Sequence, residues 1–471
     1  MTKDTAQASS TIENRTFDEI AVGDSACLQR RLTMQDIKLF AAMSGDINPA
    51  HVDEDYARSS QFHEVIAHGL WGGSQISTLL GTQLPGPGTI YIGQTLHFHR
   101  PVALGDMITA KVTVVEKDAK KHRLLLDCEC SNQTGKVVIS GQADVLAPTE
   151  KIRRPRWILP GVQLQERVHL HRLLKEATEG AAVKMAVVHP VDSESLLGAI
   201  AASKAGLIEP FLVGPENKIR AVAEEIQVDI SAFPVINTPH SHAAAFKAVE
   251  MVSTGEAETL MKGSLHTDEF LLPVISVRSG LRTERRMSHV FVFDVPTYAR
   301  PLFITDAALN IQPTLEQKRD IVQNAIDLAL ALGIQTPRVA ILSAVETVSA
   351  KIPSTLDAAA LCKMADRGQI QGGLVDGPLA FDNAVSPEAA KIKNIVSPVA
   401  GQADILVTPD LEAGNILAKQ LEYLGGAESA GILLGARVPI VLTSRSDDTT
   451  TRMASCAIAK IVVRRQHKQL A

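Results

Sequence analysis

The sequence is poor in cysteine and in aromatic side chains, and no charge sign dominates it. Its five cysteines (Cys27, Cys128, Cys130, Cys362 and Cys456) are odd in number and dispersed, which argues against a disulfide framework or a paired-cysteine zinc site. They read as reduced thiols of a cytoplasmic protein. The 47 Lys and Arg against 52 Asp and Glu leave a formal charge of −5, so nucleic acid finds no basic footprint. No apolar run reaches the roughly 18 residues that span a bilayer, and residues 1–15 are polar without a secretory pattern. A membrane partner is not expected. Neither G-x-x-x-x-G-K-[ST] nor a strand-linked G-x-G-x-x-G occurs, which disfavours ATP and NAD.

What is present is an ordinary globular composition, 45% hydrophobic and 21% charged, in a chain of 471 residues. At roughly 150 residues per domain, that length calls for more than one folding unit. Across 89–146 the apolar residues recur at period two, most clearly Ile108, Ala110, Val112 and Val114, which predicts strands of a half-buried antiparallel sheet. Ahead of them lie two helices. One follows Thr33, with Asp36 closing a capping box, and the other covers 69–84. Residues 147–156 lose all periodicity and hold two prolines and four basic residues, the mark of a solvated linker. Beyond it, short apolar strands (185–188, 211–213, 339–342, 405–407) alternate with helices, predicting parallel sheets covered on both faces. The expected order is therefore a disordered tail (1–15), an α+β domain (16–147), a linker (148–165), and an α/β domain (166–471) of two subdomains around a cleft.

Two constellations carry chemistry. In the first, Ser44-Gly45-Asp46-Ile47-Asn48-Pro49-Ala50-His51 follows the capped helix, and Ile66-Ala67-His68-Gly69 opens the next. Asn48-Pro49 enforces a turn between Asp46 and His51. A carboxylate and an imidazole so placed suit water activation, one group taking a proton while the other orients the water or returns a proton to carbon. The unsatisfied amides at Gly69 suit a developing enolate oxygen. The run S-G-D-I-N-P-A-H-V-D with F-H-E-V-I-A-H-G resembles the MaoC-like (R)-specific enoyl-CoA hydratases of the hotdog fold over residues 15–147. That resemblance implies Asp46 and His51 as the catalytic pair, the Gly69 amide on the thioester carbonyl, Ser77 and Asn48 toward the substrate, and a dimer or larger homo-oligomer.

The second constellation lies at strand ends of the later domain: Lys262-Gly263-Ser264-Leu265-His266-Thr267, then Arg282 and Arg285, then Thr305-Asp306-Ala307-Ala308-Leu309-Asn310, and finally Ser444-Arg445-Ser446-Asp447-Asp448. A hydroxyl, a forked guanidinium and helix-start amides together suit a phosphate oxygen. Asp306 and Asn310 either bind substrate or fix their loop, and His266 is as much a turn residue as a ligand. The runs M-K-G-S-L-H-T, G-L-R-T-E-R-R-M-S-H, I-T-D-A-A-L-N, G-P-L-A-F-D and A-D-I-L-V-T-P-D resemble phosphate acetyl- and butyryltransferases over nearly all of 180–471. The fold implied is isocitrate dehydrogenase-like, of the phosphotransacetylase type, with CoA and phosphate meeting in the cleft. Ser444 and Arg445 are implied in binding and transition-state stabilisation. The base toward the CoA thiol is Asp447 or Asp448. A family arginine after H-T is replaced by Leu272 or Pro273, leaving Arg282 or Arg285 to serve.

The substrates expected are acyl-CoA, CoA and inorganic phosphate, with no cofactor and no metal. The whole reads as a bifunctional acyl-CoA enzyme. Two alternatives are that one module is a non-catalytic CoA-binding or dimerising scaffold, and that the first domain is a hydroxyacyl-ACP dehydratase.

Overall fold

A computed structural model describes residues 11–157, 162, 168–444 and 447–470. The chain divides into two compact units, Met1–Leu164 and Gln165–Ala471.

In the first unit, five antiparallel strands run in the order Ser25–Arg31, Met107–Asp118, Arg123–Ser131, Val137–Leu146, Ile90–Phe98. The alternation read from the sequence faces inward: Ile108, Ala110, Val112 and Val114 are buried along Met107–Asp118. Against this face lies the helix Gly69–Thr82, whose Trp71, Ile76, Leu79 and Leu80 share one core with the sheet. Each such fully buried Leu or Ile contributes about 1.5–3 kcal/mol. Two glycines set the packing distances. A Cβ on Gly72 would stand 2.3 Å from Ile139 Cδ1, and one on Gly141 would stand 1.9 Å from the Thr95 carbonyl oxygen of the neighbouring strand. This is the hotdog arrangement, a sheet wrapped on one central helix.

The tail and the linker are corrected in part. Thr11–Glu13 is not disordered but pairs antiparallel with Arg153–Pro155. The buried Asn14 ties the two segments, donating to Glu150 O at 2.8 Å and accepting from Ile152 N at 2.9 Å. Nor is the basic run simply solvated, because Lys151 meets Glu13 and Glu19 at 3.2 and 2.8 Å. Residues 1–10 lie outside the described residues.

In the second unit, an eleven-stranded sheet runs in the order Val235–Asn237, Ile208–Gly214, Val183–Val188, Thr259–Lys262, Ile440–Val441, Glu428–Leu434, Ser288–Asp294, Leu302–Thr305, Ile405–Val407, Arg338–Leu342, Leu374–Leu379. The first five are mutually parallel, as are the last four. Glu428–Leu434 and Ser288–Asp294, each antiparallel to both neighbours, join the halves, so the two parallel sets point in opposite directions. Those sets are the two expected subdomains, fused through one continuous sheet. All five cysteines are free thiols, and among the described residues no helix is long and apolar enough to cross a membrane.

The chain's two tryptophans, Trp71 and Trp157, both lie in the first unit, so tryptophan fluorescence reports on that unit alone. Gly141→Ala forces a methyl into the Thr95 carbonyl, and its denaturant midpoint by tryptophan fluorescence is expected to fall by the equivalent of about 1–3 kcal/mol. An unchanged midpoint would mean that the two strands stand farther apart than described here.

Candidate functional site

The first site is built by a chain of short caps. Thr33 and Asp36 close the helix Met34–Ser44 at its start, and Gly45, at φ 75°, ends it in the left-handed region. The chain then turns so that the Asn48 side chain caps the short helix Pro49–Val52, accepting from Ala50 N at 3.1 Å. His51 rides on that helix. Its Nδ1 lies 2.9 Å from Ile66 O, and His68 Nε2 lies 3.0 Å from Asp46 O. A carbonyl oxygen only accepts, so both of these nitrogens carry the hydrogen, and in the neutral rings the lone pairs reside on His51 Nε2 and His68 Nδ1. The two rings lie with centroids 4.0 Å apart and planes tilted by 36°. Ligating atoms of Asp46, His51 and His68 all lie within 4.8 Å of one another.

The structure thus brings Asp46 and His51 together, as the sequence led us to expect, and adds the buried His68, which the sequence reading had placed only as the residue before a helix. Gly69 opens its helix, where the first N–H groups lack intrahelical acceptors. A Cβ there would meet the Phe98 ring at 3.0 Å. Ser77 is exposed two turns farther along the same helix. Asn48 engages its side-chain carbonyl oxygen as the cap of that short helix.

In the second unit a cleft of about 520 Å³ is lined by Thr267, His289, Phe291, Ala308, Asn415, Lys419, Thr443 and Ser444, among others. Each of the three expected polar clusters reaches it, through Thr267, Ala308 and Ser444. The loop after Ile440–Val441 is held from inside. Arg452, 2% exposed, donates to Thr443 Oγ1 at 2.9 Å, Ser444 O at 3.0 Å and Asp447 O at 3.3 Å. Gly198 leaves room for it, because a Cβ there would stand 2.6 Å from Arg452 Cδ. Asp447 is buried and its Oδ2 accepts the Ser444 N–H at 2.7 Å. Burial pushes its carboxyl above the usual range despite that bond. Asp448 instead caps the helix Thr449–Leu470, its Oδ1 accepting from Thr451 N at 2.8 Å. Arg445 lies outside the described residues.

Other expected residues are placed elsewhere. Arg285 is exposed and ion-paired with Asp327, and it lines a different cleft of about 710 Å³. Arg282 is exposed, bridges to Ala436, and lines a third cleft with Arg285. His266 precedes the helix Thr267–Ile275 without capping it. Asp306 and Asn310 are buried against each other. The Asp306 carboxylate takes the N–H groups of Ala308 and Leu309 at 3.0 Å and the Asn310 amide, and Asn310 also donates to Met287 O at 2.9 Å. They fix the loop that presents Ala308. His289, at the end of the run G-L-R-T-E-R-R-M-S-H, is buried at the cleft with Nε2 3.1 Å from Leu442 O. Burial lowers its basicity below the usual imidazole range, against the pull of Asp306.

Comparison with known proteins places this unit. The phosphate acetyl/butaryl transferase model matches residues 239–460. A phosphate acetyltransferase of Rhizobium meliloti is 62% identical over 301 residues, covering 64% of this chain and 95% of that protein. The chain belongs to the phosphate acetyl/butaryl transferase family. A phosphate butyryltransferase of Clostridium acetobutylicum is 47% identical over 279 residues, 59% of this chain and 93% of that one. The solved structure of a branched-chain phosphotransacylase from Enterococcus faecalis is 32% identical, covers 60% of this chain and 99% of that chain, and superposes at a TM-score of 0.53. In the first unit the MaoC-like domain model matches residues 23–127, so this transferase-family chain carries a second module in front of the family unit.

Arg452→Lys retains the charge but replaces a three-pronged donor by one ammonium. If the guanidinium positions the Ser444–Asp447 loop, phosphate-dependent release of CoA from acetyl-CoA should fall at least tenfold in kcat, while the far-ultraviolet spectrum stays unchanged. Unaltered turnover would assign Arg452 to packing alone.

Proposed function

We propose that the chain catalyses two reactions of acyl-CoA thioesters: transfer of an acyl group, acetyl or butyryl, between CoA and inorganic phosphate in the second unit, and hydration of a trans-2-enoyl-CoA to the (R)-3-hydroxyacyl-CoA in the first. The observation that carries it is the Ser444–Asp447 loop, pinned at the 520 Å³ cleft of a unit that is 62% identical to a phosphate acetyltransferase. The hydratase reading rests on the Asp46–His51 pair within a MaoC-like match.

In the transfer, a phosphate oxygen attacks the thioester carbonyl, the tetrahedral oxyanion forms, and the C–S bond breaks to release thiolate. Ser444 and Arg445 hold the phosphate and the developing charge. Asp447 serves as the base in the reverse direction. Burial raises its proton affinity toward that of a thiol, whose ordinary pKa is near ~8.5, and so narrows the uphill gap for proton transfer. In the hydration, His51 Nε2 is the available lone pair, because Nδ1–H is committed to Ile66 O. It takes a proton from water as the oxygen adds to C3, Asp46 orients the water or returns a proton to C2, and the Gly69 amide polarises the carbonyl. Neither step as drawn consumes a cofactor. Free thiols suit a reducing cytoplasm.

The full chain is expected to release CoA from acetyl- or butyryl-CoA only when phosphate is supplied, and separately to bleach the enoyl absorbance of crotonyl-CoA. Ser444→Ala should cut the first rate by about 10²–10³ and leave the second, and Asp46→Ala should do the reverse. Loss of both activities in either variant would refute independent sites.

A further inference from the structure

We propose that Asp46, His51 and His68 form a binding site for a zinc-class transition metal that silences the water-activating pair. The proposal rests on the reading of Asp46 and His51 as that pair. Its basis is a count of donors and acceptors. Atoms of the three side chains able to ligate lie within 4.8 Å of one another. The carbonyls of Ile66 and Asp46 hold the hydrogens on His51 Nδ1 and His68 Nε2, so the nitrogen each neutral ring has left to offer is a bare lone pair.

His68 is 2% exposed, and its Nδ1 is buried without a hydrogen-bond partner. Such an atom is unfavourable until a donor or an electrophile meets it. Asp46 adds a carboxylate, of which Oδ1 already accepts the Asn48 N–H at 3.2 Å. Solvent meets the exposed carboxylate, whereas the buried His68 nitrogen has no partner. A divalent ion accepts from all three, at about 2.0–2.2 Å from imidazole nitrogen and carboxylate oxygen.

Those bond lengths put ligating atoms roughly 3.4 Å apart around a tetrahedral ion. The exposed Asp46 side chain is the one able to swing inward, while His68 is fixed by its burial and its bond to Asp46 O. The ring N–H to carbonyl bonds are the usual supports of metal-bound histidine, setting both tautomer and orientation. Two imidazoles and one carboxylate select zinc, copper or nickel over magnesium and calcium. With the ion bound, His51 Nε2 no longer has a lone pair for water, and the carboxylate no longer has a free charge.

The test is titration of the full chain with Co²⁺, read by its visible absorption and by displacement with Zn²⁺, alongside crotonyl-CoA hydration. We expect one equivalent of Co²⁺ bound through this cluster, with affinity falling at least tenfold in Asp46→Asn and in His68→Gln. Hydration should fall at least tenfold at saturating Zn²⁺ and recover with EDTA. Because Asp46 is exposed, its variant tests the site even if His68→Gln disturbs the fold. Co²⁺ binding unchanged by Asp46→Asn would overturn the proposal, and so would hydration untouched by saturating Zn²⁺. A chain that binds Co²⁺ through Asp46 yet hydrates no enoyl-CoA in metal-free buffer would sink the hydratase reading and the silencing role, and leave the metal site standing.

Discussion

In each unit the loop at the candidate site hangs on a backbone carbonyl held by a buried side chain. His68 reaches Asp46 O in the first, and Arg452 reaches Ser444 O and Asp447 O in the second. A buried donor that loses its acceptor forfeits about 1–3 kcal/mol, more when it is charged. Moving Asp46, Ser444 or Asp447 off these donors therefore costs a sizeable part of a domain's stability. Loops are normally the mobile part of a fold, and here the polar core beneath them supplies the rigidity that positioning demands.

The two units reach this by different chemistry. The first uses imidazoles whose tautomers are set by carbonyl acceptors, leaving one bare lone pair on each neutral ring. The second uses a guanidinium whose fork spans three oxygens, with Gly198 vacating the space it occupies. On the proposed reactions the division makes sense. Adding water to a double bond needs a proton acceptor, whereas adding phosphate to a carbonyl needs a fixed frame for charge that develops on oxygen.

What could be read from the sequence was what is local. The strand Met107–Asp118 follows from period-two alternation, and the capping box of Thr33 and Asp36 stands where the residues indicate. The Asp46–His51 turn is likewise a matter of six consecutive residues. What was not legible depends on partners far along the chain. His68 matters because its acceptor is 22 residues back, and His289 because its acceptor is 153 residues on. Thr11–Glu13 is too short to show a period, and its strand partner begins at Arg153. Arg285 looked like an anion ligand because charge type carries no direction, and the fold pairs it with Asp327 instead. Asp306 and Asn310 read equally as substrate ligands or loop anchors, and folding turns them on each other.

The central claim is that one polypeptide holds two acyl-CoA sites, one in each unit. Calorimetric titration of the full chain with an unreactive thioether analogue of butyryl-CoA measures that number directly. The account predicts two equivalents bound per chain. Saturation at a single equivalent would contradict it.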